Sequence, residues 1–315
     1  MASGSGDPAP RPPVRFKHRV EYGALACAAA LARRLPYRAA LALAWGVAAF
    51  LFHVVRFRRR ETLRRIGLVF PDIAPRRARR IAWVSLRNLA FNAVEMLRIR
   101  SFDLASLERR IANLREGVAV IRRVATRPDG SRSGVILALP HMGNWDLAGS
   151  ACHLSGEPIF SVAGKQRNPL ANDLINRLRS GHGMDIIERG GRTLAQIVVR
   201  LRRGEVFAIL PDSRSPRPDI ELPFLGGRAN LARGMATFAH ATGSPIIPLH
   251  MVREGWTRFR FIIGEAVYPD PAADKATDVH RMTAAVVATV DAAIHECPEQ
   301  WFWYNKRWVL DPVEA

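Results

Sequence analysis

Along this chain the spacing of apolar residues changes character several times, and each change marks an element. From 39 to 55 the residues are Ala-Ala-Leu-Ala-Leu-Ala-Trp-Gly-Val-Ala-Ala-Phe-Leu-Phe-His-Val-Val, seventeen without a formal charge at pH 7, and Arg56-Phe-Arg-Arg-Arg60 follows directly. A helix needs about 20 apolar residues to cross a bilayer, so this run sits at the short limit, and a helix lying in the interface is the equal alternative. The arginines behind it belong on the cytoplasmic side, against anionic headgroups. A buried helix of a soluble protein would explain the apolar run but has no need of that basic flank. From 75 to 98, Ile81, Trp83, Val84, Leu86, Leu89, Ala90, Val94 and Leu97 recur at helical spacing among arginines. They predict an amphipathic helix that covers the rest of the protein or lies on the membrane.

Further on the period shortens. Compact apolar runs predict strands at 134–140, 158–163, 205–210, 245–251 and 258–266, with helical stretches at 145–154, 169–180, 192–203 and 230–241 between them and a last helix at 278–296. Strand and helix in alternation give an α/β fold with a mostly parallel central sheet flanked by helices. In such sheets the ligand crevice lies beyond the carboxyl ends of the strands. Residues 1–14, rich in Pro, Gly and Ser, read as a disordered tail, and no cleavage site follows an early apolar run closely enough to suggest a removable signal peptide.

Composition narrows the partners. A chain of 315 residues can bury one substantial core, and its net charge of +19 asks for an anionic partner such as a lipid surface, an acidic protein or nucleic acid. Nucleic acid fits poorly, because the arginines are scattered and neither zinc-finger spacing nor an RNA-binding aromatic motif accompanies them. The three cysteines, Cys27, Cys152 and Cys297, are far apart and odd in number, which suggests a reducing, cytoplasm-facing protein without a disulfide framework. No histidine pair has ligand spacing and no dinucleotide fingerprint is present, so neither a metal nor a cofactor is expected.

The chemistry concentrates where the run Val135-Ile-Leu-Ala-Leu-Pro140 opens into His141-Met-Gly-Asn-Trp-Asp146. A histidine near neutrality takes a proton from a hydroxyl, and a nearby carboxylate holds its tautomer and stabilises the imidazolium. Asp146 is the expected orienting group, and Gly143 gives the chain freedom to turn it back onto the ring. The pair suits transfer of an acyl group to an alcohol without a serine or cysteine nucleophile. In the plainer reading Asn144 caps the following helix and Asp146 favours that helix's positive end. Candidate substrate-binding residues are Asn144, Asp212 at a strand end, and Arg167, Arg189 and Arg192, whose guanidinium forks suit phosphate. As solvated arginines of a basic protein the last three would be unremarkable. The aromatic residues Trp301, Phe302, Trp303, Tyr304 and Trp308 are expected to pack under the C-terminal helix, with an acyl tunnel or the membrane interface as alternatives.

Several blocks occur in an order that resembles one family. Leu139-Pro-His-Met-Gly-Asn-Trp-Asp-Leu-Ala-Gly149, Glu188-Arg-Gly-Gly191, Gly204-Glu-Val-Phe-Ala-Ile-Leu-Pro-Asp212, Phe224-Leu-Gly-Gly-Arg-Ala-Asn-Leu-Ala-Arg-Gly234, Gly243-Ser-Pro-Ile-Ile-Pro248 and Pro298-Glu-Gln-Trp-Phe-Trp303 are similar to the bacterial late lipid A acyltransferases, the lauroyl and myristoyl transferases, and to the related phosphatidylinositol mannoside acyltransferases. The likeness runs from about residue 20 to 312. It implies a membrane-associated O-acyltransferase on the cytoplasmic face of the bacterial inner membrane. Its donor would be an acyl carrier protein or acyl-coenzyme A and its acceptor an anionic glycolipid, foremost a lipid A precursor, with a mannosylated phosphoinositide or another lysolipid as the alternative. It also places Arg233 near the substrate. The implied organisation is a tail at 1–14, a membrane-anchoring helical segment at 15–60 and an acyltransferase domain at 61–315. Departures at Gly227, Arg228, Ser213, Arg214 and Asn305 bear on the substrate rather than on the reaction. The rival from another class is a non-catalytic basic protein that binds membranes or nucleic acid.

Overall fold

The computed structural model describes residues 14–164, 168–180 and 184–312. The expected tail therefore lies almost wholly outside the described residues. Helices α1 (Phe16–Arg34) and α2 (Tyr37–Phe50) lead into a π turn, Leu51–Val55, that ends at Arg56 in the left-handed region. Helix α3 (Arg59–Val69) and the long α4 (Pro75–Leu97) follow; proline at the start of α4 costs no hydrogen bond, because the first N–H groups of a helix have no internal partner. The apolar run and its basic flank thus form a helix with a broken end, and the amphipathic segment forms α4 almost as expected. Ala40, Leu41, Ala44 and Ala48 of α2 are buried, and Leu41 and Ala44 meet Phe91 of α4. Leu43, Trp45, Val47, Phe50, Val54 and Val55 stay exposed.

After α5 (Leu104–Glu108) and α6 (Leu114–Ala125) the α/β part begins, with β1 (Val135–Ala138), α7 (Trp145–Leu154), β2 (Ile159–Ala163), α8 (Pro169–Ser180), β3 (Asp185–Glu188), α9 (Thr193–Arg202) and β4 (Val206–Ile209). A hairpin of β5 (Ile220–Phe224) and β6 (Gly227–Leu231) comes next, then α10 (Gly234–Thr242), β7 (Ile246–Glu254), β8 (Arg258–Ile263) and α11 (Lys275–Glu296). The main sheet has the order β3-β2-β4-β1-β7-β8, parallel except for β8 at the edge.

Strand β1 lies inside this sheet and is buried on both faces. Val135, Leu137 and Leu139 pack with α6 and α7 on one side, while Ile136 and Ala138 meet α9, α10 and α11 on the other. An apolar run without alternation is what a strand covered by helices on both faces requires. A further cluster joins α3, α4, α11 and the hairpin around Trp301, Trp303, Tyr304 and Trp308, so those four aromatic residues are core.

One sequence expectation needs correction, and some elements were not expected at all. The helix placed at 230–241 begins only at Gly234, because Gly227–Leu231 pairs with β5 across a turn in which Leu225 takes φ 52°. Strand β3 was not expected: it is four residues long, with Asp185 and Glu188 at its exposed ends. Nor was α6, whose Leu114, Gly117, Val118, Ile121 and Ala125 form a buried stripe at helical spacing.

Candidate active site

Strands β1 and β4 are neighbours, and their parallel register pairs Ala138 with Ile209. Three residues beyond each partner stand His141 and Asp212. Equal overhangs from adjacent parallel strands bring the two side chains together at the carboxyl edge of the sheet, where such folds bind ligands. His141 Nδ1 lies 2.8 Å from Asp212 Oδ1, and the His141 backbone N–H donates to Asp212 Oδ2 at 2.7 Å. The indole N–H of Trp301 donates to the same Oδ2 at 2.8 Å. Asp212 is wholly buried, and 19% of the His141 side chain remains exposed.

The carboxylate that meets His141 Nδ1 is Asp212, where the sequence points to Asp146 as the orienting group. Asp146 occupies the first turn of α7, and its charge adds to the field at His141. Burial alone would lower the pKa of His141, but the charge and hydrogen bond of Asp212, with the charge of Asp146, outweigh it and hold the pKa above the ordinary value. For Asp212 burial works upward; the charge of His141 and the hydrogen bonds from its ring, Trp301 and the His141 amide prevail and hold its carboxyl below the ordinary range. A carboxylate on Nδ1 keeps the proton of neutral His141 on that nitrogen. The lone pair of a base is then on Nε2.

The turn carrying His141 is held by hydrogen bonds to its backbone from several sides. The amide of Phe302 donates to His141 O at 3.0 Å, and Gly143 N donates to Gln300 O at 2.9 Å. Gly143 takes φ 58°, and a Cβ there would lie 1.7 Å from the carbonyl oxygen of Met251. Only glycine fits. Asn144 caps α7: its Oδ1 accepts from Leu147 N at 3.0 Å and its Nδ2 donates to Glu95 at 2.6 Å. Both ends of that amide are engaged inside the protein, as the capping reading of Asn144 expects. Such a cap contributes about 1 kcal/mol. The ring of Trp145 meets His141 edge-on, with centroids 5.0 Å apart, and Phe302 stands on another side at 6.3 Å.

Two spaces lie in the same part of the molecule, neither lined by His141 or Asp212 themselves. A cavity of about 180 Å³ at the ends of β1, β2 and β4 is lined by Leu139, Trp145, Asp146, Ser161, Met184 and Leu210. A larger groove of about 400 Å³ runs between α1, α2 and α4, lined by alkyl groups such as Leu31, Leu43, Val47, Leu86 and Val94. Leu89 borders both this groove and the notch beside His141 and Phe302.

The other candidates fall farther out. Arg189 and Arg192 are exposed beyond β3, three strands from β1, which at about 4.8 Å per strand is roughly 14 Å across the sheet. Arg192 lines a separate surface cleft with Glu188, Gln196 and Arg203. Arg233 stands at the start of α10 and is paired with Asp219. Arg167 lies outside the described residues.

A histidine–aspartate pair at the carboxyl edge of a helix-covered, mostly parallel sheet defines the class, an α/β protein. The chain belongs to the bacterial lipid A biosynthesis acyltransferase family, which it matches over residues 14–309. It is 26% identical over 183 residues to a phosphatidylinositol mannoside acyltransferase of Mycolicibacterium smegmatis, covering 56% of this chain and 58% of that protein. To the Mycobacterium tuberculosis protein of the same description it is 28% identical over 188 residues, 58% of this chain and 57% of that one. A lipid A biosynthesis acyltransferase of Haemophilus influenzae is 25% identical over 173 residues, 54% of this chain and 52% of that protein. The chain thus spans just over half the length of the curated relatives it matches.

Proposed function

We propose that this protein is a membrane-associated O-acyltransferase that moves a fatty acyl chain from a thioester donor to a hydroxyl of a glycolipid. The observation that carries the reading is the dyad, a histidine with a buried carboxylate on Nδ1 and Nε2 left as base, linked through Leu89 to an alkyl-lined groove. Nε2 of His141 takes the proton of the acceptor hydroxyl as its oxygen attacks the thioester carbonyl. A tetrahedral oxyanion forms, the C–S bond breaks, and the departing thiolate takes the proton back from the imidazolium. The buried, hydrogen-bonded Asp212 carboxylate stabilises that imidazolium. Helix α7 begins four residues after His141, and the positive end of its dipole favours the oxyanion. The groove suits the acyl chain, with the thioester at Leu89, and the cavity lined by Ser161 and Asp146 suits the acceptor hydroxyl.

Family membership favours a lipid A precursor as acceptor. The relatives at 26% and 28% identity favour a second reading, a phosphatidylinositol mannoside. An acidic acyl carrier protein suits a chain of net charge +19 as donor partner, with acyl-coenzyme A the alternative. In this reading the exposed apolar residues of α2 and the arginines after it lie against the cytoplasmic leaflet, with 15–60 as anchor and 61–315 as acyltransferase domain; the apolar exposure of α2 supports it.

The test is transfer from dodecanoyl and tetradecanoyl thioesters of both carriers to a lipid A precursor and to a phosphatidylinositol mannoside, in vesicles, with products read by mass spectrometry. Removing a general base costs about 10²- to 10⁴-fold, so His141→Ala should abolish turnover in a folded protein. Equal turnover by wild type and His141→Ala, or acylation of neither acceptor, refutes the reading.

A further inference from the structure

Behind the catalytic turn lies an ion pair that the chemistry above does not use. Glu95 of α4 and Arg253 of β7 are both fully buried and joined by two hydrogen bonds, Nη1 to Oε1 at 2.8 Å and Nη2 to Oε2 at 2.5 Å. Glu95 also accepts from the Tyr37 hydroxyl at the start of α2 and from Nδ2 of Asn144. Arg253 donates further to Asn92 Oδ1 at 2.8 Å and to the Trp256 carbonyl at 2.9 Å, and its guanidinium stacks 4.5 Å over the ring of Phe259. Asn92 spends its own N–H on the Gly143 carbonyl. Gln300, whose carbonyl receives the Gly143 amide, clasps the Arg253 backbone with both ends of its side chain, at 3.1 and 3.2 Å.

Taking two charges out of water is costly, and apolar residues of the same volume often serve stability as well or better. A fully buried pair is therefore weak evidence of a stability device, and its value lies in what it fixes. Apart from the bond to the Trp256 carbonyl, the outward side-chain bonds of the pair end, directly or through one amide, on the turn that follows His141 or on the helix that carries the exposed apolar residues. Asn92 orients the Gly143 carbonyl and Asn144 begins α7; neither side chain can rotate without leaving part of the pair unsatisfied.

We propose that Glu95 and Arg253, acting through Asn92 and Asn144, are positioning residues for the His141 turn, and that Tyr37 ties the first apolar helix to the same unit. The proposal rests on the acyltransfer reading only for its kinetic test. None of these side chains meets substrate. They hold Gly143 and the start of α7, and so the place of His141 relative to the groove.

The test uses the full chain in vesicles and two mild variants. Asn92→Asp keeps the acceptor for Arg253 but turns an oxygen toward the Gly143 carbonyl; Tyr37→Phe removes one hydroxyl. Misplacing a reacting group by about 1 Å costs on the order of 10²-fold, so Asn92→Asp should lower kcat per folded molecule by about that factor with KM for the donor unchanged. Tyr37→Phe should give a several-fold loss in kcat alone. In both, hydrogen exchange of the amides from Met142 to Leu147 should quicken while those of β4 keep wild-type protection. Wild-type kcat with wild-type exchange in this turn overturns the proposal, as does a rate loss matched by an equal loss of folded protein. Should His141→Ala prove as active as wild type, the acyltransfer reading fails, and the exchange result still decides whether these residues position the turn.

Discussion

Asp212→Asn is the sharpest test of the site, because the structure dictates how the new amide must sit. Oδ2 of Asp212 accepts two donors, the His141 amide at 2.7 Å and the Trp301 indole at 2.8 Å. An asparagine can satisfy both only with its carbonyl oxygen in that place, which puts its NH₂ group on His141 Nδ1. Two donors then meet unless Nδ1 gives up its proton, so the neutral ring protonates on Nε2 and the base is lost. In a serine-protease triad the same exchange lowers turnover by about 10⁴-fold through the same tautomer error. At 1.36 kcal/mol per decade, that is about 5 kcal/mol of barrier. The packing is isosteric and the fold should survive. The assay is kcat and kcat/KM for acyl transfer from pH 5.5 to 9, with folding checked by thermal melts. In the wild type kcat/KM should rise with pH through a midpoint above the ordinary imidazole value of about 6.5, since only neutral His141 is a base and its pKa is raised. Asp146→Asn should move that midpoint downward, because one raising charge is gone, with a far smaller loss of plateau rate than Asp212→Asn. Near wild-type kcat in Asp212→Asn, or a greater plateau loss in Asp146→Asn, would refute the assignment of the tautomer to Asp212.

Gly143→Ala should lose roughly 2 to 5 kcal/mol, combining a left-handed alanine with overpacking against the Met251 carbonyl, and urea unfolding should show the lower midpoint. Phe50→Asp with Val54→Asp replaces two exposed apolar residues at the end of the first apolar helix and should reduce co-sedimentation with anionic vesicles while leaving the melting temperature near wild type; undiminished binding would remove α2 from the membrane contact. Between about 20 and 300 mM salt the Debye length shrinks from roughly 20 to 6 Å, so transfer from an acyl carrier protein should slow far more than transfer from acyl-coenzyme A. Equal salt sensitivity of the two donors would argue against steering by the basic surface.

The parts of the fold that were legible in sequence are those whose pattern comes from burial. β1 has apolar neighbours on both faces, and its uninterrupted run says so; α7 and α8 begin and end where sequence placed them, α7 beginning at the asparagine that caps it. The hairpin carried a signal that was read wrongly. Ile220-Glu-Leu-Pro-Phe224 alternates buried and exposed as a half-covered strand should, but Pro223 counts against a strand, and Ala229, Asn230 and Leu231 continue smoothly into a helical pattern. What settles the matter is pairing with β5, a contact that local propensity does not contain. Strand β3 had too little apolar sequence to be seen: two isoleucines between two acids, held in place by β2.

The dyad shows the same limit within the site. His141 was legible because strand, turn and helix cap lie on one continuous stretch, and Asp146 attracted the orienting role because it lies on that stretch as well. A residue in the first turn of α7, however, has its backbone direction set by the helix, whereas the ring of His141 hangs from the end of β1. Reaching Nδ1 from a neighbouring parallel strand needs only a matched overhang, and the register of Ala138 with Ile209 supplies it. Sequence could show that both His141 and Asp212 leave strands at the same edge. It could not show that β4 and β1 are neighbours, since β2, α8, β3 and α9 separate them in the chain. The two carboxylates consequently stand differently toward the ring: Asp212, buried and tied by two further donors, meets Nδ1 directly, while Asp146 borders the cavity and its charge raises the pKa of His141.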